Sequence, residues 1–214
     1  MFGLKYKERR GKPGRPTVDE TEKSPERWEV EKFLAEVKKD WRYDRIRRLY
    51  YCFWIMANLG LRISEARDVR YNDIAEKLQI KAMTIRTRKK KPKPGHPPGP
   101  KLMGIFISTE EAGALYQMLK TIRPAKDGRF FPYCQRLVQY YFDFYRERAR
   151  LRKSFIPHSM RHFASGNLMQ HCNGRYEIVM KRLRHEKPQH PTFTYIEPSK
   201  QAQMDALEQK RCVY

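Results

Sequence analysis

Apolar residues recur three and four positions apart along much of the chain, which is the spacing of a helix with one buried face. Ser24-Pro25 gives a start signal for the first predicted helix, with Pro25 at its first position. The second predicted helix ends at Gly60, because glycine readily takes the left-handed backbone conformation that terminates a helix. The apolar faces are Val30, Phe33, Leu34, Val37 and Trp41 in the first helix, and Ile46, Leu49, Tyr50, Phe53 and Ala57 in the second.

The rest of the chain adds further helices and one change of period. After a predicted turn at Asn72-Asp73, residues 78–86 and 102–108 carry the pattern of two β-strands joined by a long loop. Other helices are predicted from about Ser64, from a cap at Thr109-Glu110-Glu111, and over 133–151, 157–170, 175–184 and 199–210. The pattern therefore predicts an α+β fold, mainly α-helical with a small antiparallel sheet.

The loop between the two predicted strands is the most basic stretch of the sequence. Five prolines between residues 92 and 100 prevent it from being helix or sheet throughout. It contains no acidic residue, so we expect its cations to contact the phosphates of a nucleic acid. The residues predicted to do so are Arg86, Arg88, Lys90, Lys91 and Lys93.

Composition narrows the class of partner. The chain has 214 residues and a formal net charge of +22, from 46 Lys and Arg against 24 Asp and Glu, and this charge favours a polyanion. Nucleic acid is the expected partner; a membrane is not, because the apolar stretches are too short and too interrupted by charge to span one. An aromatic content of 13% indicates a packed interior and excludes a disordered basic tail.

We expect one folded domain with short tails. Residues 1–24 are basic and rich in Gly and Pro, which predicts a flexible arm; 25–198 form the domain, and 199–214 a C-terminal helix and tail. The four cysteines are widely spaced and give neither a zinc pattern nor a disulfide framework, and no signal peptide is visible. The sequence therefore predicts a cytoplasmic protein with no metal and no cofactor.

Arg62 and Glu65 form the first candidate site. Arg62 lies on the turn between two predicted helices, where its guanidinium could grip a phosphate at two points while Glu65 holds it from behind. Taken alone, a solvated surface arginine is the commoner explanation in a chain this basic.

His158 and Arg161 form the second candidate site, near the start of the helix that begins at Pro157. Residues three positions apart share a helix face, so an imidazole and a guanidinium can meet one phosphate. Histidine also exchanges a proton readily near neutral pH. His162 could fill either role, and a solvated or capping pair is the alternative.

His185 and Tyr195 form the third candidate site. A tyrosine hydroxyl has a pKa of about 10, so it acts as a nucleophile only where cations stabilise the phenolate or a base accepts its proton. Any one of the thirteen tyrosines is more often a packing residue. The order of the three sites along the chain is more informative than any one of them.

That order resembles the tyrosine recombinase family, which includes the phage integrases and the recombinases that resolve chromosome dimers. The resemblance covers about residues 26–199, and its most specific parts are Gly60-Leu61-Arg62-Ile63-Ser64-Glu65-Ala66 and His158-Ser159-Met160-Arg161-His162. It implies the catalytic-domain fold of that family for residues 25–198. It also implies a site-specific DNA recombinase or integrase that acts on double-stranded DNA without metal or ATP.

The resemblance assigns a role to each candidate. Tyr195 would attack the scissile phosphate, leaving a 3′-phosphotyrosyl link and a free 5′-hydroxyl. Arg62 and Arg161 would stabilise the charge that grows on the non-bridging oxygens. His158 would accept or relay the tyrosine proton, and His185 would donate a hydrogen bond to the phosphate.

A lysine between the two strands is the general acid of the family. The end of the first strand favours Lys89, whereas counting from Asp73 favours Arg86, which is a poor proton donor. A solvated basic loop that only grips the DNA backbone is an equally good explanation of either residue.

The sequence departs from the family in three places. Arg184 stands where the family often has glycine, and the gap from His185 to Tyr195 is slightly long, which puts the role of His185 in question. Residues 1–25 are too short for the separate helical DNA-binding domain that members usually carry. We therefore expect weak sequence preference, or help from an accessory DNA-binding factor.

Assembly and function leave alternatives. The helix after Pro198 is expected either to dock on a neighbouring protomer of a tetramer or to fold back on its own domain. A type IB topoisomerase-like activity, or a recombinase-derived DNA-binding protein without catalysis, would share much of the pattern. The expected location is the nucleoid in the cytoplasm, or a host cell in which a virus or mobile element encodes the protein.

Overall fold

The computed structural model describes residues 24–87, 101–172, 175–184 and 200–214. Its helices are α1 (Arg27–Lys38), α2 (Asp44–Leu59), α3 (Ile63–Arg67), α4 (Tyr71–Ile74), α5 (Thr109–Thr121), α6 (Gln135–Arg148), α7 (Pro157–Met169), α8 (Tyr176–Leu183) and α9 (Lys200–Gln209). A 3-10 turn spans Leu78–Ile80, and the strands are β1 (Ala82–Thr87) and β2 (Lys101–Phe106). The predicted fold, mainly helical with a small sheet, is confirmed.

The core is built around α2. Residues 49–59 of this helix are all buried, because α1 and α7 pack against it and its apolar residues continue around the helix. Phe33 of α1 contacts Phe142 of α6 and Phe53 of α2, with ring centroids 4.6 and 5.3 Å apart. This core fixes the C-terminal end of α2, where Gly60 and Arg62 follow.

β1 and β2 form the predicted antiparallel pair, with Ala82 opposite Phe106 and Thr87 opposite Lys101. The predicted strand bounds of 78–86 and 102–108 are wrong at both outer ends. Residues 78–80 form a 3-10 turn closed by Lys81 in a left-handed conformation, and this turn delays the first strand.

Helix starts also differ from the prediction. Pro25 precedes α1, whose first residue is Arg27, because the Glu29 side chain accepts the backbone N–H of Glu26 at 2.9 Å and caps the helix there. Ser108, one residue before the predicted Thr109-Glu110-Glu111 segment, is the N-cap of α5: its Oγ accepts the N–H of Glu111 at 3.1 Å, and the Glu111 carboxylate accepts the N–H of Ser108 at 2.9 Å. Helix α4 replaces the predicted turn at Asn72-Asp73.

The C-terminal segment packs on its own chain. Leu207 of α9 is buried with Leu168, Ile178 and Leu183 in a second, smaller apolar cluster. Beyond α9, the Val213 N–H donates to the Asn58 Oδ1 at 2.9 Å. The tail therefore braces the end of α2 within one molecule; docking on a neighbouring protomer stays a prediction.

A buried charge cluster around Glu111, which the sequence did not predict, also holds the C-terminal segment against its own chain. Glu111 of α5 is fully buried and accepts hydrogen bonds from Arg182 Nη2 at 2.7 Å and Lys210 Nζ at 2.6 Å. Lys210 also donates to the Asn58 carbonyl at 2.6 Å. The tail, α5, α8 and α2 are thus joined by buried polar contacts.

None of the helices within the described ranges combines the length and apolar character needed to cross a membrane.

Candidate active site

The turn after α2 positions Arg62. Gly60 has φ 68°, which favours glycine, and a Cβ on it would lie 2.7 Å from Cδ2 of Leu183, so the buried Leu183 side chain would have to shift to accept one. Arg62 then adopts an extended conformation as the N-cap of α3. Its side chain is 46% exposed and reaches solvent at the surface of the domain.

Glu65 lies behind Arg62, as the sequence predicted. Its side chain is 3% exposed, and it accepts Nη1 of Arg62 at 3.0 Å and the backbone N–H of Arg62 at 2.8 Å. The same carboxylate accepts Nη2 of Arg184 at 2.6 Å and lies 3.8 Å from Nη1 of Arg161. Glu65 therefore joins α3 to α7 and to the end of α8.

Three guanidiniums determine the charge of Glu65. Burial raises the pKa of this carboxyl. The opposing effect is larger and comes from Arg184, from the N–H and side chain of Arg62, and from Arg161, so the net pKa lies below the usual value. Glu65 is therefore ionised at neutral pH. One carboxylate balances three cations here, and the cluster keeps an excess of positive charge.

Arg161 projects from the first turns of α7, which begins at Pro157. It is buried, and it donates to the carbonyl of Gly60 at 2.6 Å and to the carbonyl of Leu183. Burial, with Arg184 and Arg62 nearby, lowers its pKa to about 9, which leaves it charged at neutral pH. Arg161 thus links the turn at Gly60 to the C-terminal end of α8.

His158 shares the helix face of Arg161. Its ring is exposed and lies 4.8 Å from the ring of His162, edge to face. Partial desolvation, followed by the charges of His162, Arg161 and Arg62, lowers the pKa of His158 below its usual value. The imidazole is therefore neutral at neutral pH and able to accept a proton.

The first and second candidate sites predicted from the sequence thus come together in the structure. Residues 62 and 161, almost a hundred positions apart, meet on one carboxylate, and the electrostatic influence of both arginines reaches His158. A guanidinium pair with a neutral imidazole suits an anionic phosphodiester, because the cations stabilise its oxygens and the imidazole can take a proton.

The other predicted residues are placed differently. Arg86 lies in β1, mostly buried, and its Nη1 is paired with a carboxylate oxygen of Asp73, so its contact with DNA stays a prediction. The third candidate site and most of the basic loop lie outside the described residues, namely Lys89, His185, Tyr195, Arg88, Lys90, Lys91 and Lys93.

Arg184 is the residue that the sequence did not assign to the site. Its side chain is 1% exposed and contacts Glu65 directly. The signal in the sequence was an arginine where the resembling family often has glycine, but the partner lies 119 positions away and no local pattern identifies it. No three His, Cys, Asp or Glu side chains in the described ranges cluster as a metal site would require.

Comparisons with known proteins concern the family and the fold of the chain. The model of the phage integrase family matches residues 26–202, and a comparison with curated protein sequences gives no match. Among solved structures, an integrase from mycobacterium phage Brujita has a similar fold, with a TM-score of 0.60, 18% identity and 94% of this chain covered.

Two further solved structures have a similar fold. The XerA recombinase gives a TM-score of 0.53 at 16% identity, and the XerH site-specific recombinase bound to its difH substrate gives 0.51 at 21%; each covers 77% of this chain. The chain spans 61% of the phage integrase, 55% of XerA and 48% of XerH. The match of the family model over most of its length shows that this chain belongs to the phage integrase family.

Proposed function

We propose that this chain cleaves and rejoins strands of double-stranded DNA during site-specific recombination, through a 3′-phosphotyrosyl intermediate on Tyr195. The observation that carries the proposal is the meeting of Arg62 and Arg161 on one buried carboxylate, with a neutral His158 on the same side. Membership of the phage integrase family supports the reaction class.

The phosphate-binding step depends on contact with the half-exposed Arg62 and on the nearby charge of Arg161, whose side chain is 5% exposed. Arg62 is half-exposed and fixed by Glu65, so its remaining donors can meet a phosphate that approaches from solvent. Arg161 brings a charged guanidinium held by two carbonyls. Their charges stabilise a pentacoordinate transition state more than the ground state, because negative charge grows on the non-bridging oxygens.

The covalent step transfers the phosphoryl group to tyrosine. The hydroxyl of Tyr195 attacks phosphorus, its proton passes to the neutral imidazole of His158, and the bond from phosphorus to the 5′-oxygen breaks. Lys89 protonates the leaving 5′-oxygen, and His185 donates a hydrogen bond to the phosphate. A 5′-hydroxyl from another strand reverses these steps, so rejoining needs no ATP.

The wider assembly is part of the same proposal. The chain works on DNA as a homo-oligomer, a tetramer in the completed complex, and relies on an accessory DNA-binding factor or a further domain to choose its site. The XerH neighbour was solved bound to its difH substrate, which supports DNA as the partner. The basic arm of residues 1–24 and the loop of 86–101 supply phosphate contacts.

A nicked duplex tests the proposal. After cleavage beside the nick, the short strand diffuses away and the protein remains trapped on DNA, so a denaturation-resistant adduct should accumulate. Tyr195→Phe should abolish the adduct, and Tyr176→Phe, which removes an exposed hydroxyl from α8, should leave it unchanged. An adduct that persists in Tyr195→Phe would show that another residue is the nucleophile.

The adduct assay, combined with a test for relaxation of supercoiled DNA, separates the two alternatives. A type IB topoisomerase-like enzyme forms the adduct and also relaxes supercoiled DNA as a monomer without synapsis. A recombinase-derived DNA-binding protein binds the duplex and forms no adduct under any condition.

A further inference from the structure

Arg184 ends α8 in a backbone conformation that disfavours it. Its φ of 58° and ψ of 40° lie in the left-handed region, where a Cβ meets steric conflict and glycine fits best. The nearby helix end at Gly60 uses glycine in the same conformation. Backbone geometry at position 184 therefore selects glycine, and the arginine side chain must contribute something that glycine cannot.

The side chain of Arg184 is buried against Glu65. Its Nη2 donates to Oε2 of Glu65 at 2.6 Å and its Nη1 to the carbonyl of Arg182 at 3.0 Å, while Nε finds no hydrogen-bond partner in the described part of the chain. A buried guanidinium is stable only beside an opposite charge. The pair with Glu65 is thus what allows arginine at this position.

Glu65 connects Arg184 to the exposed arginine of the site. Oε2 accepts Arg184 and the backbone N–H of Arg62, and Oε1 accepts the side-chain Nη1 of Arg62 at 3.0 Å. Because Oε2 is held from two directions, the carboxylate cannot rotate freely. Its other oxygen therefore stays directed at the Arg62 guanidinium.

We propose that Arg184 is a positioning residue for strand cleavage: through Glu65 it fixes the guanidinium of Arg62 for the scissile phosphate. This inference rests on the proposed function. Arg184 is too buried to contact DNA, so its role concerns the rate of cleavage and not the affinity for DNA.

Single-turnover cleavage of the nicked duplex, measured over a range of protein concentrations, tests the role. Arg184→Met should lower the rate at saturating protein by about 10- to 100-fold, because a displaced catalytic group loses rate on that scale. The half-saturating concentration should change by less than about threefold, because the groups that bind phosphate all remain. Arg184→Lys keeps the charge and the strained backbone and should recover part of the rate.

Two further variants serve as controls, one for the loss of a positive charge and one for misfolding. Arg175→Met removes an exposed cation from the start of the same helix and should cleave like the wild type. Arg184→Gly suits the left-handed backbone, so it should fold even where Arg184→Met does not, and it should still cleave slowly. An Arg184→Gly protein that cleaves at the wild-type rate would overturn the inference.

Coupling to Arg62 is the decisive readout. If Arg184 acts through Arg62, then Arg184→Met should change the rate by less than about threefold in an Arg62→Ala background. Effects that multiply in the double variant would overturn the inference. A wild-type protein that forms no adduct overturns the proposed function itself, whereas equal rates in wild type and Arg184→Met overturn only the role of Arg184.

Discussion

At the scale of single residues, the buried carboxylate of Glu65 is the group on which Arg62, Arg161 and Arg184 converge. Its contact with Arg62 follows from a spacing of three residues across a helix start, and the sequence predicted it. Its contacts with Arg161 and Arg184 depend on how α7 and α8 pack, so no local pattern indicates them. The order of the motifs identified Arg62 and Arg161, but it identified neither Arg184 nor the sharing of Glu65 among the three arginines.

Replacing Glu65 with Gln should destabilise the protein strongly. Arg184 would keep a buried charge without its carboxylate, and breaking a buried pair costs about 3 to 5 kcal/mol. Urea denaturation measures this loss. Glu147→Gln, which removes an exposed carboxylate 3.4 Å from Arg146, should cost less than about 1 kcal/mol. Equal losses in the two variants would contradict the account of Glu65.

The pH dependence of cleavage should reflect His158. Its lowered pKa keeps the imidazole neutral, so the rate should fall only below about pH 6.5, the ordinary value for histidine. His162→Gln removes a neighbour that lowers this pKa, and the acidic limb of the rate profile should move towards higher pH. An acidic limb that stays in place in His162→Gln would argue against this proton acceptor.

At the scale of elements, the helices were predicted well where an apolar face runs along them, and their ends were not. Helices α1, α2 and α7 follow the predicted period. The exact start of a helix depends on which side chain caps its first backbone N–H groups. In α1 this side chain is Glu29, but several neighbouring residues in the sequence could have served as well. The 3-10 turn at Leu78–Ile80 is too short to show a period of its own, so the sequence pattern does not separate it from the strand that follows.

The end of α2 offers a test of element packing. Gly60→Ala should destabilise the protein by about 1 to 3 kcal/mol, because its left-handed backbone and the contact with Leu183 both resist a Cβ. Gly113→Ala, in the open interior of α5, should instead stabilise by about 0.5 to 1 kcal/mol. Thermal unfolding of both variants measures the difference, and a neutral Gly60→Ala would contradict this packing.

At the scale of the whole molecule, charge and fold have separate roles. The net charge of +22 favours binding to a polyanion without selecting a nucleotide sequence. The fold concentrates three arginines at one carboxylate and directs one of them towards solvent. Composition alone predicts a basic globular domain with a nucleic acid as the expected partner, whereas the reaction class required the order of the motifs and the family match.

Binding should therefore depend steeply on salt. The logarithm of the binding constant should fall with the logarithm of salt concentration by about 0.9 for each phosphate neutralised. Changing Lys90, Lys91 and Lys93 to Gln should make the slope shallower, by about 0.9 for each phosphate that the variant no longer neutralises. Filter binding with duplexes of unrelated sequence measures both effects. A slope near zero, or strong preference for one duplex, would contradict phosphate-dominated binding.

The most direct test of the central claim identifies the residue that carries the DNA. After nuclease digestion of the trapped adduct, trypsin should release residues 185–200, a peptide in which Tyr195 is the sole tyrosine. Mass spectrometry should find the residual nucleotide phosphate on Tyr195 of this peptide. A nucleotide on Tyr176 or on any other residue, with residues 185–200 unmodified, would contradict the account.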